Sequence, residues 1–192
     1  QTTRGVIALA ARPPAFPVTH IPKLEAKKRE ARVIAADLAR GLLREARWRG
    51  LPLKDLRPAI IGVGTVGAEL ARVLAHNHVP CRLYDSSAAR RAELHAELHA
   101  ELHGAGLVEV CETAEASLLG TNAAVLITGR RGVLDHELAA YRGLVMSGSS
   151  DANEVDEEFL VTAGATAQLA NRGFPVNFAL DGLPEYPALA GR

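Results

Sequence analysis

Three glycines in the chain have the spacing that brings a polypeptide backbone close to a phosphate group. The stretch IIGVGTVGAELARVLA, residues 60–75, contains Gly62, Gly64 and Gly67 in a G-x-G-x-x-G pattern. The first glycine of this pattern permits a tight turn, the second lets backbone approach a pyrophosphate, and the third lets a helix pack closely on a strand. The N–H groups and positive dipole end of the following helix favour an anion. We therefore predict a phosphate-binding loop.

An acidic residue lies where a dinucleotide site needs one. Asp85 ends the next apolar run and follows Gly67 at close to the roughly 20-residue spacing at which an acid binds the ribose hydroxyls of NAD. The carboxylate would repel a 2′-phosphate, so the pattern favours NAD over NADP. Arg90 and Arg91 soften this preference, because basic side chains just beyond the strand can bind that phosphate.

A tetrapeptide is written three times in AELHAELHAELHG, residues 92–104. Four-residue steps on a helix put its leucines on one slightly slanted stripe, which we expect to face the sheet: Leu94, Leu98 and Leu102. His95 and His99 could share a zinc ion, but His103 would lie ~12 Å along the axis from His95. No third ligand is evident. We predict a solvated helix and no metal site.

Short apolar runs alternate with helical stretches through the rest of the chain. The runs that we predict as strands are AIIGVG (59–64), CRLYD (81–85), LVEVC (107–111), AAVLIT (123–128), LVMSG (144–148) and ATAQLA (165–170). Such alternation is typical of an α/β fold, and with the glycine motif it predicts a Rossmann-type doubly wound parallel sheet. A helical segment, Lys23 to Trp48, precedes the sheet and is stopped by Gly50 and Pro52.

The expected organisation has three parts. Residues 1–52 form an N-terminal connector and long helix, residues 53–173 a Rossmann NAD-binding domain, and residues 174–192 a C-terminal strand and tail. FPVNFAL (174–180) is predicted as an edge strand, because Pro175 bars it from the centre of a sheet.

Composition narrows the functional classes. The 192 residues are 48% apolar, and 22 Lys and Arg balance 22 Asp and Glu, so no net charge favours nucleic acid or an anionic membrane. The sequence shows no membrane-spanning run and no signal-peptide pattern, and we expect a soluble, cytoplasmic protein. Cys81 and Cys111 are expected at opposite ends of neighbouring strands, as ordinary buried thiols.

Several later segments resemble the S-adenosylhomocysteine hydrolase family. LITGRRGVLDHEL (126–138) resembles its T-G-N-x-x-V-I segment, VMSGSSDANEVDEEFL (145–160) its G-H-F-D-x-E-I-D, and FPVNFALDGLPEYPAL (174–189) its R-x-V-N-L-x-x-x-x-G-H-P. QTTRGV (1–6) is similar to its E-T-T-T-G-V. The resemblance implies a domain that holds NAD tightly, oxidises the 3′-hydroxyl of a nucleoside and assembles into a homo-oligomer.

The resemblance and the glycine motif together imply a set of cofactor contacts. These are Thr2, Thr3, Gly62, Gly64, Thr65, Val66, Gly67, Asp85, Thr128, Gly129, Arg130, Gly148, Ser149 and Asn177. Asp151 and Glu154 also match the family pattern. Lys27 or Lys28 could stand for the family's catalytic lysine; the alternative is that both are exposed charges on an amphipathic helix.

The departures from the family pattern leave the function open. Ser149 and Leu183 replace its two histidines, and Ala31 or Arg32 its aspartate. Loss of a general acid or base typically costs ~10²–10⁴ in rate, so ordinary hydrolase activity is not expected. Three functions fit: an NAD-dependent enzyme with a changed nucleoside-like substrate, a non-catalytic NAD-binding sensor or structural module, and a 2-hydroxy-acid or amino-acid dehydrogenase.

Overall fold

A six-stranded parallel sheet forms the centre of the part of the chain that the computed structural model describes. That part comprises residues 25–101, 106–129 and 134–148, with Ala11, Ala15, Glu154 and one further strand. The strands are β1 (Pro58–Ile61), β2 (Cys81–Tyr84), β3 (Val108–Val110), β4 (Ala123–Leu126), β5 (Leu144–Ser147) and β6 (Gln168–Ala170). Their order in the sheet is β3-β2-β1-β4-β5-β6. The six predicted strands are confirmed, each shorter than its apolar run.

Five α-helices accompany the strands within the described residues. They are α1 (Glu25–Trp48), α2 (Thr65–His76), α3 (Ala88–Glu101), α4 (Ala114–Leu118) and α5 (Asp135–Ala139), with a short 3-10 helix at Leu53–Asp55. None of these helices is long and apolar enough to cross a membrane. The strand expected at 174–180 and the connector at 1–22 lie outside the residues that can be described, apart from Ala11 and Ala15.

The sheet is buried on both faces, because successive side chains of a strand point to opposite sides. On one face, Ile60 and Met146 pack in a cluster with α1, α2 and α3. On the other face, Ile61 and Val145 pack in a second cluster with α4 and α5. The long helix α1 thus belongs to the same core as the glycine motif's helix.

Helix α1 ends as the sequence predicts, and the backbone shows why. Gly50 has a φ of +74°, which glycine adopts without steric cost. The Gly50 N–H donates to the Arg47 carbonyl at 2.9 Å, and the Leu51 N–H donates to the Ala46 carbonyl at 2.8 Å. These two bonds form a Schellman motif, which satisfies carbonyls that the helix end would leave unpaired. At its other end, helix α1 is described from Glu25, and Lys23, where the helix was predicted to begin, lies outside the described residues.

Helix α3 carries the repeated tetrapeptide in the predicted orientation. Leu94 and Leu98 are buried in the core cluster, and His95 is exposed. The leucine stripe therefore packs against the sheet as expected. Leu102, His103 and the expected helix end at Gly104 lie outside the described residues.

Candidate functional site

The first and third glycines of the motif are required by close packing. Gly62 follows β1 with a φ of +89°, and a Cβ there would lie 2.6 Å from the Ile127 carbonyl oxygen after β4. A Cβ on Gly67 would clash with the carbonyl oxygen of Gly62. These glycines therefore let the glycine loop, residues 62–67, lie directly against β4 and against the first turn of α2. Both roles agree with the sequence prediction.

The second glycine faces open space instead. Gly64 is exposed, and a Cβ built on it would meet nothing within 4 Å. It is the N-cap residue of α2, and as a glycine it has no side chain that could cap that end. The N–H groups of a helix's first turn have no intrahelical partner. Those of Thr65 and Val66 can therefore donate hydrogen bonds to an anion. The loop thus fits a pyrophosphate in front of Gly64.

Asp85 is fixed beside the same loop. Its Oδ2 accepts a hydrogen bond from the Val63 N–H at 2.9 Å, and its Oδ1 accepts one from the Ser87 N–H at 2.9 Å. An ionised carboxylate has about four acceptor positions, so acceptor capacity remains for hydroxyl groups. The side chain is only half-buried and is accessible to a ligand. The predicted ribose acceptor therefore lies next to the predicted phosphate loop.

The two arginines beyond β2 are already engaged. Arg90 donates from Nε to the Val63 carbonyl at 2.9 Å and from Nη1 to Glu93 at 3.0 Å. Arg91 donates from Nη1 to the Asp85 carbonyl at 2.8 Å and forms an ion pair with Glu112 at 3.0 Å. The Arg91 guanidinium also lies 5.8 Å from the ring centre of Tyr84. Both guanidinium groups therefore already have protein partners, and neither is free to bind a 2′-phosphate.

A buried carboxylate organises the other half of the site. Glu154 is 2% exposed and accepts hydrogen bonds from the Gly129 N–H at 2.7 Å and the Thr128 hydroxyl at 3.3 Å. It also accepts from the Ser147 hydroxyl at 3.1 Å and the Gly148 N–H at 3.2 Å. Glu154 therefore joins the segment after β4 to the end of β5.

Burial raises the pKa of the Glu154 carboxyl above its usual range, although hydrogen bonds from Gly129, Ser147, Thr128 and Gly148 act in the opposite direction. Sequence reasoning matched Glu154 to the family pattern but did not place it in the site. The signal was available, because Thr128, Gly129 and Gly148 match the same two family segments and all of them contact this carboxylate.

Gly148 is also tightly enclosed. A Cβ there would lie 2.9 Å from Cγ1 of Ile127 and 3.3 Å from Cδ2 of Leu38 in α1. Helix α1 therefore reaches the carboxyl end of β5, so the long N-terminal helix borders the site. The predicted residues Thr2, Thr3, Arg130, Ser149 and Asn177 lie outside the described residues.

The lysines considered for catalysis pair within their own helix. Lys27 forms an ion pair with Glu30, and Lys28 pairs with Glu25 at 3.4 Å. This arrangement agrees with the alternative of exposed charges on an amphipathic helix. Their catalytic role stays a prediction.

The described residues hold no second centre of obvious reactivity. Cys81 and Cys111 are free and buried. Burial raises the pKa of the Cys81 thiol to about 12, and burial together with Glu109 raises that of Cys111. Neither thiol is a thiolate near neutral pH, so neither is suited to nucleophilic attack. Across the described ranges no group of three or more His, Cys, Asp or Glu side chains could hold a metal ion.

Solved structures share this architecture at low sequence identity. Dipicolinate synthase from Bacillus halodurans matches with a TM-score of 0.58 and 17% identity, over 77% of this chain and 50% of that chain. Dipicolinate synthase from Bacillus subtilis matches with 0.57 and 14%, over 88% and 54%. L-tryptophan dehydrogenase from Nostoc punctiforme matches with 0.56 and 18%, over 74% and 41%. The chain thus spans about half the length of these structures.

The strand order and these structures agree on one architecture. This is a Rossmann fold. Neither a protein-family model nor a curated protein matches the chain. The three structures named above are not adenosylhomocysteinases, so they support the fold implied by the resemblance and not its hydrolase identity.

A Rossmann fold places its ligand crevice outside the carboxyl ends of the strands, where the strand order reverses. The order reverses here between β1 and β4. Gly62, Asp85 and Ile127 follow the carboxyl ends of β1, β2 and β4, and Gly148 follows that of β5. The described site residues therefore line one edge of the sheet around that point.

Proposed function

We propose that this chain is the dinucleotide-binding part of an NAD-dependent oxidoreductase. The observation that carries the proposal is the pairing of an open Gly64 with the Asp85 carboxylate on Val63 of the same loop. Many folds contain a glycine turn, but this pairing supplies a phosphate position and a ribose position side by side. When bound, NAD would supply a hydride acceptor.

The residues of the chain would divide the ligand between them. The amides of the first turn of α2 bind the pyrophosphate, and Asp85 accepts hydrogen bonds from the adenosine ribose. The segment held by Glu154, with Thr128 and Gly129, borders the nicotinamide side of the crevice. NAD is favoured over NADP, because Asp85 repels a 2′-phosphate and both nearby arginines have carboxylate partners.

Oxidoreduction is favoured over nucleoside hydrolysis. The similar structures include L-tryptophan dehydrogenase, and the sequence lacks both histidines of the adenosylhomocysteinase motifs. One observation keeps the adenosylhomocysteinase-like enzyme as a second candidate: Glu154 gathers Thr128, Gly129 and Gly148, which belong to two of the matching segments. The substrate class and assembly into a homo-oligomer are likewise proposals.

Calorimetric titration with NAD⁺, NADP⁺ and ADP-ribose tests the proposal. The wild type should bind NAD⁺ more tightly than NADP⁺, and Asp85→Ala should weaken NAD⁺ binding by about 10-fold or more through lost charge-assisted hydrogen bonds. Asp55→Ala is the matched control, because Asp55 is exposed near the opposite edge of the sheet. Absence of NAD⁺ binding by a folded sample would overturn the proposal, as would equal effects of the two substitutions.

A second experiment separates the candidate chemistries. The protein saturated with NAD⁺ is mixed with amino acids, with 2-hydroxy acids or with adenosine, and the absorbance of reduced nicotinamide is followed. Reduction by an amino acid or a hydroxy acid supports the dehydrogenase. Reduction by adenosine alone would favour the adenosylhomocysteinase-like enzyme, and no reduction by any of them would favour a non-catalytic NAD-binding module.

A further inference from the structure

The repeated tetrapeptide contacts the glycine loop through one arginine. Arg90, in the first turn of α3, donates from Nε to the carbonyl of Val63, whose N–H is already bound by Asp85. Both backbone groups of this one loop residue are therefore held by side chains from the end of β2 and the start of α3. The Arg90 guanidinium consequently lies beside the position proposed for the adenosine ribose.

Two glutamates of the repeat hold that guanidinium. Arg90 Nη1 lies 3.0 Å from Glu93 and 3.2 Å from Glu97, and Nη2 lies 3.5 Å from Glu97. Nε binds the loop, and both Nη atoms face carboxylates. An arginine fork engaged in this way has little capacity left for a phosphate.

The same glutamate joins a longer set of ion pairs. Glu97 lies 3.8 Å from Arg72 of α2, and Arg72 lies 3.2 Å from the buried Glu69. Arg32 of α1 lies 3.9 Å from Glu69. The charges thus alternate across three helices on one face of the sheet. Networks of this kind hold geometry better than isolated surface pairs.

We propose that Glu93 and Glu97 restrain Arg90 on the glycine loop and keep it from the 2′-phosphate of NADP, so that the repeat sets cofactor selectivity. This inference rests on the proposed function. It explains why Arg90, at a place suited to NADP, accompanies an acid suited to NAD. Arg91 is held separately by its ion pair with Glu112. Arg90 acts here as a positioning residue for Val63, and the two glutamates decide which partner its guanidinium has.

The decisive variant is the double substitution Glu93→Gln and Glu97→Gln. Glutamine keeps the size of each side chain, and the two glutamates are 63% and 41% exposed, so the fold should be retained. Removing two carboxylates frees the guanidinium for a phosphate. We expect the ratio of NADP⁺ to NAD⁺ affinity, measured by calorimetry, to rise by about 10-fold, the effect of one charge-assisted hydrogen bond.

Two controls separate release of the arginine from a general change of charge. Glu115→Gln, on α4 against the other face of the sheet, should leave the ratio unchanged. Arg90→Gln combined with the glutamate substitutions should abolish the gain in NADP⁺ binding, because no guanidinium remains to be released. A gain of equal size with and without Arg90 would overturn the inference, and so would a ratio that follows the Glu115→Gln control.

Hydrogen exchange without any cofactor gives a separate readout of the loop. The Val63 and Gly64 amides should exchange faster in Arg90→Gln than in the wild type, and unchanged exchange would contradict the positioning role. The outcomes also separate the two proposals. A wild type that binds neither dinucleotide overturns the proposed function and this inference together. A wild type that binds NAD⁺, with a selectivity ratio insensitive to the glutamates, overturns this inference alone.

Discussion

The two halves of the crevice are held by different kinds of contact. In the half formed by β1 and β2, Asp85 and Arg90 bind the backbone of Val63 from partly exposed positions. In the half formed by β4 and β5, the buried carboxylate of Glu154 takes four hydrogen bonds. The first half leaves open space at Gly64, and the second encloses Gly148, where an added Cβ would lie 2.9 Å from Cγ1 of Ile127. The half formed by β1 and β2 can bind a charged ligand, and the half formed by β4 and β5 holds two segments of the chain together.

The difference teaches that a binding crevice can separate ligand contact from structural support. The glycine loop has unused N–H groups, which a ligand can bind without displacing a protein contact. The amides of Gly129 and Gly148 already donate to Glu154, and breaking these bonds would leave a buried carboxylate with only two of its four donors. We therefore expect substitutions in the first half to change binding more than stability, and substitutions at Glu154 to do the reverse.

The largest effect is expected at the contact between the two halves. Gly62→Ala introduces a Cβ 2.6 Å from the Ile127 carbonyl oxygen at a residue of positive φ, and should lower the free energy of unfolding by about 3 kcal/mol or more. Gly50→Ala is the matched control, because its φ is also positive but no atom lies within 4 Å. It should cost only about 1–2 kcal/mol. Urea unfolding compares them, and equal losses would contradict the close packing.

Glu154→Gln should lower the free energy of unfolding by about 2 kcal/mol at pH 4. One oxygen of the carboxylate becomes an NH₂ group, which then faces the N–H of either Gly129 or Gly148. The exposed Glu115→Gln should stay within about 0.5 kcal/mol of the wild type. Thermal or urea unfolding of both variants makes the comparison. If Glu154→Gln were as stable as Glu115→Gln, the buried carboxylate would not be the support described.

The stability difference between the wild type and Glu154→Gln should depend on pH. Burial raises the folded-state pKa of Glu154 above its ordinary value of 4.5, so the folded protein binds this proton more tightly than the unfolded chain. The contribution of this proton to the free energy of unfolding is fully present below about pH 4.5 and is lost as pH rises through the raised pKa. Between the unfolded-state and folded-state pKa values it falls by about 1.4 kcal/mol per pH unit. Unfolding measured from pH 4 upward checks this. A wild-type advantage that grows with pH would have the wrong sign.

The smallest change in stability is expected at Gly64. Gly64→Ala meets no atom within 4 Å and should cost less than about 1 kcal/mol. The added methyl group lies where the pyrophosphate is proposed, so NAD⁺ affinity should fall by about 10-fold or more, measured by calorimetry. A variant that keeps full affinity would show that the phosphate does not lie in front of this residue.

The sequence predicted the first half of the crevice and left the centre of the second unassigned. The glycine spacing, the strand before it and Asp85 at the next strand end are local signals. They can therefore be recognised in the sequence without knowledge of the tertiary fold. Glu154 comes from a segment after β5 and acts through backbone amides of Gly129 and Gly148, which no spacing rule connects. The role of Arg90 was also missed, since its partner is the carbonyl of Val63 and not a side chain.

The repeat shows a similar limit. Its leucine stripe was predicted from four-residue steps, and Leu94 and Leu98 are buried as expected. His95 and His99 were considered as a zinc pair, and the described residues contain no group of three or more possible metal ligands. The sequence prediction described this helix as solvated and gave its glutamates no role. Their contacts with Arg90 depend on how α3 lies beside the glycine loop, which a one-dimensional pattern does not contain.

Hydrogen exchange of the wild type with and without NAD⁺ tests the central claim most directly, because it reports where the dinucleotide binds. The account predicts slower exchange in the glycine loop, residues 62–67, and around Asp85, with no change in α5 on the far side of the sheet. Protection confined to α5 or to the opposite edge of the sheet, or no protection at saturating NAD⁺, would contradict it.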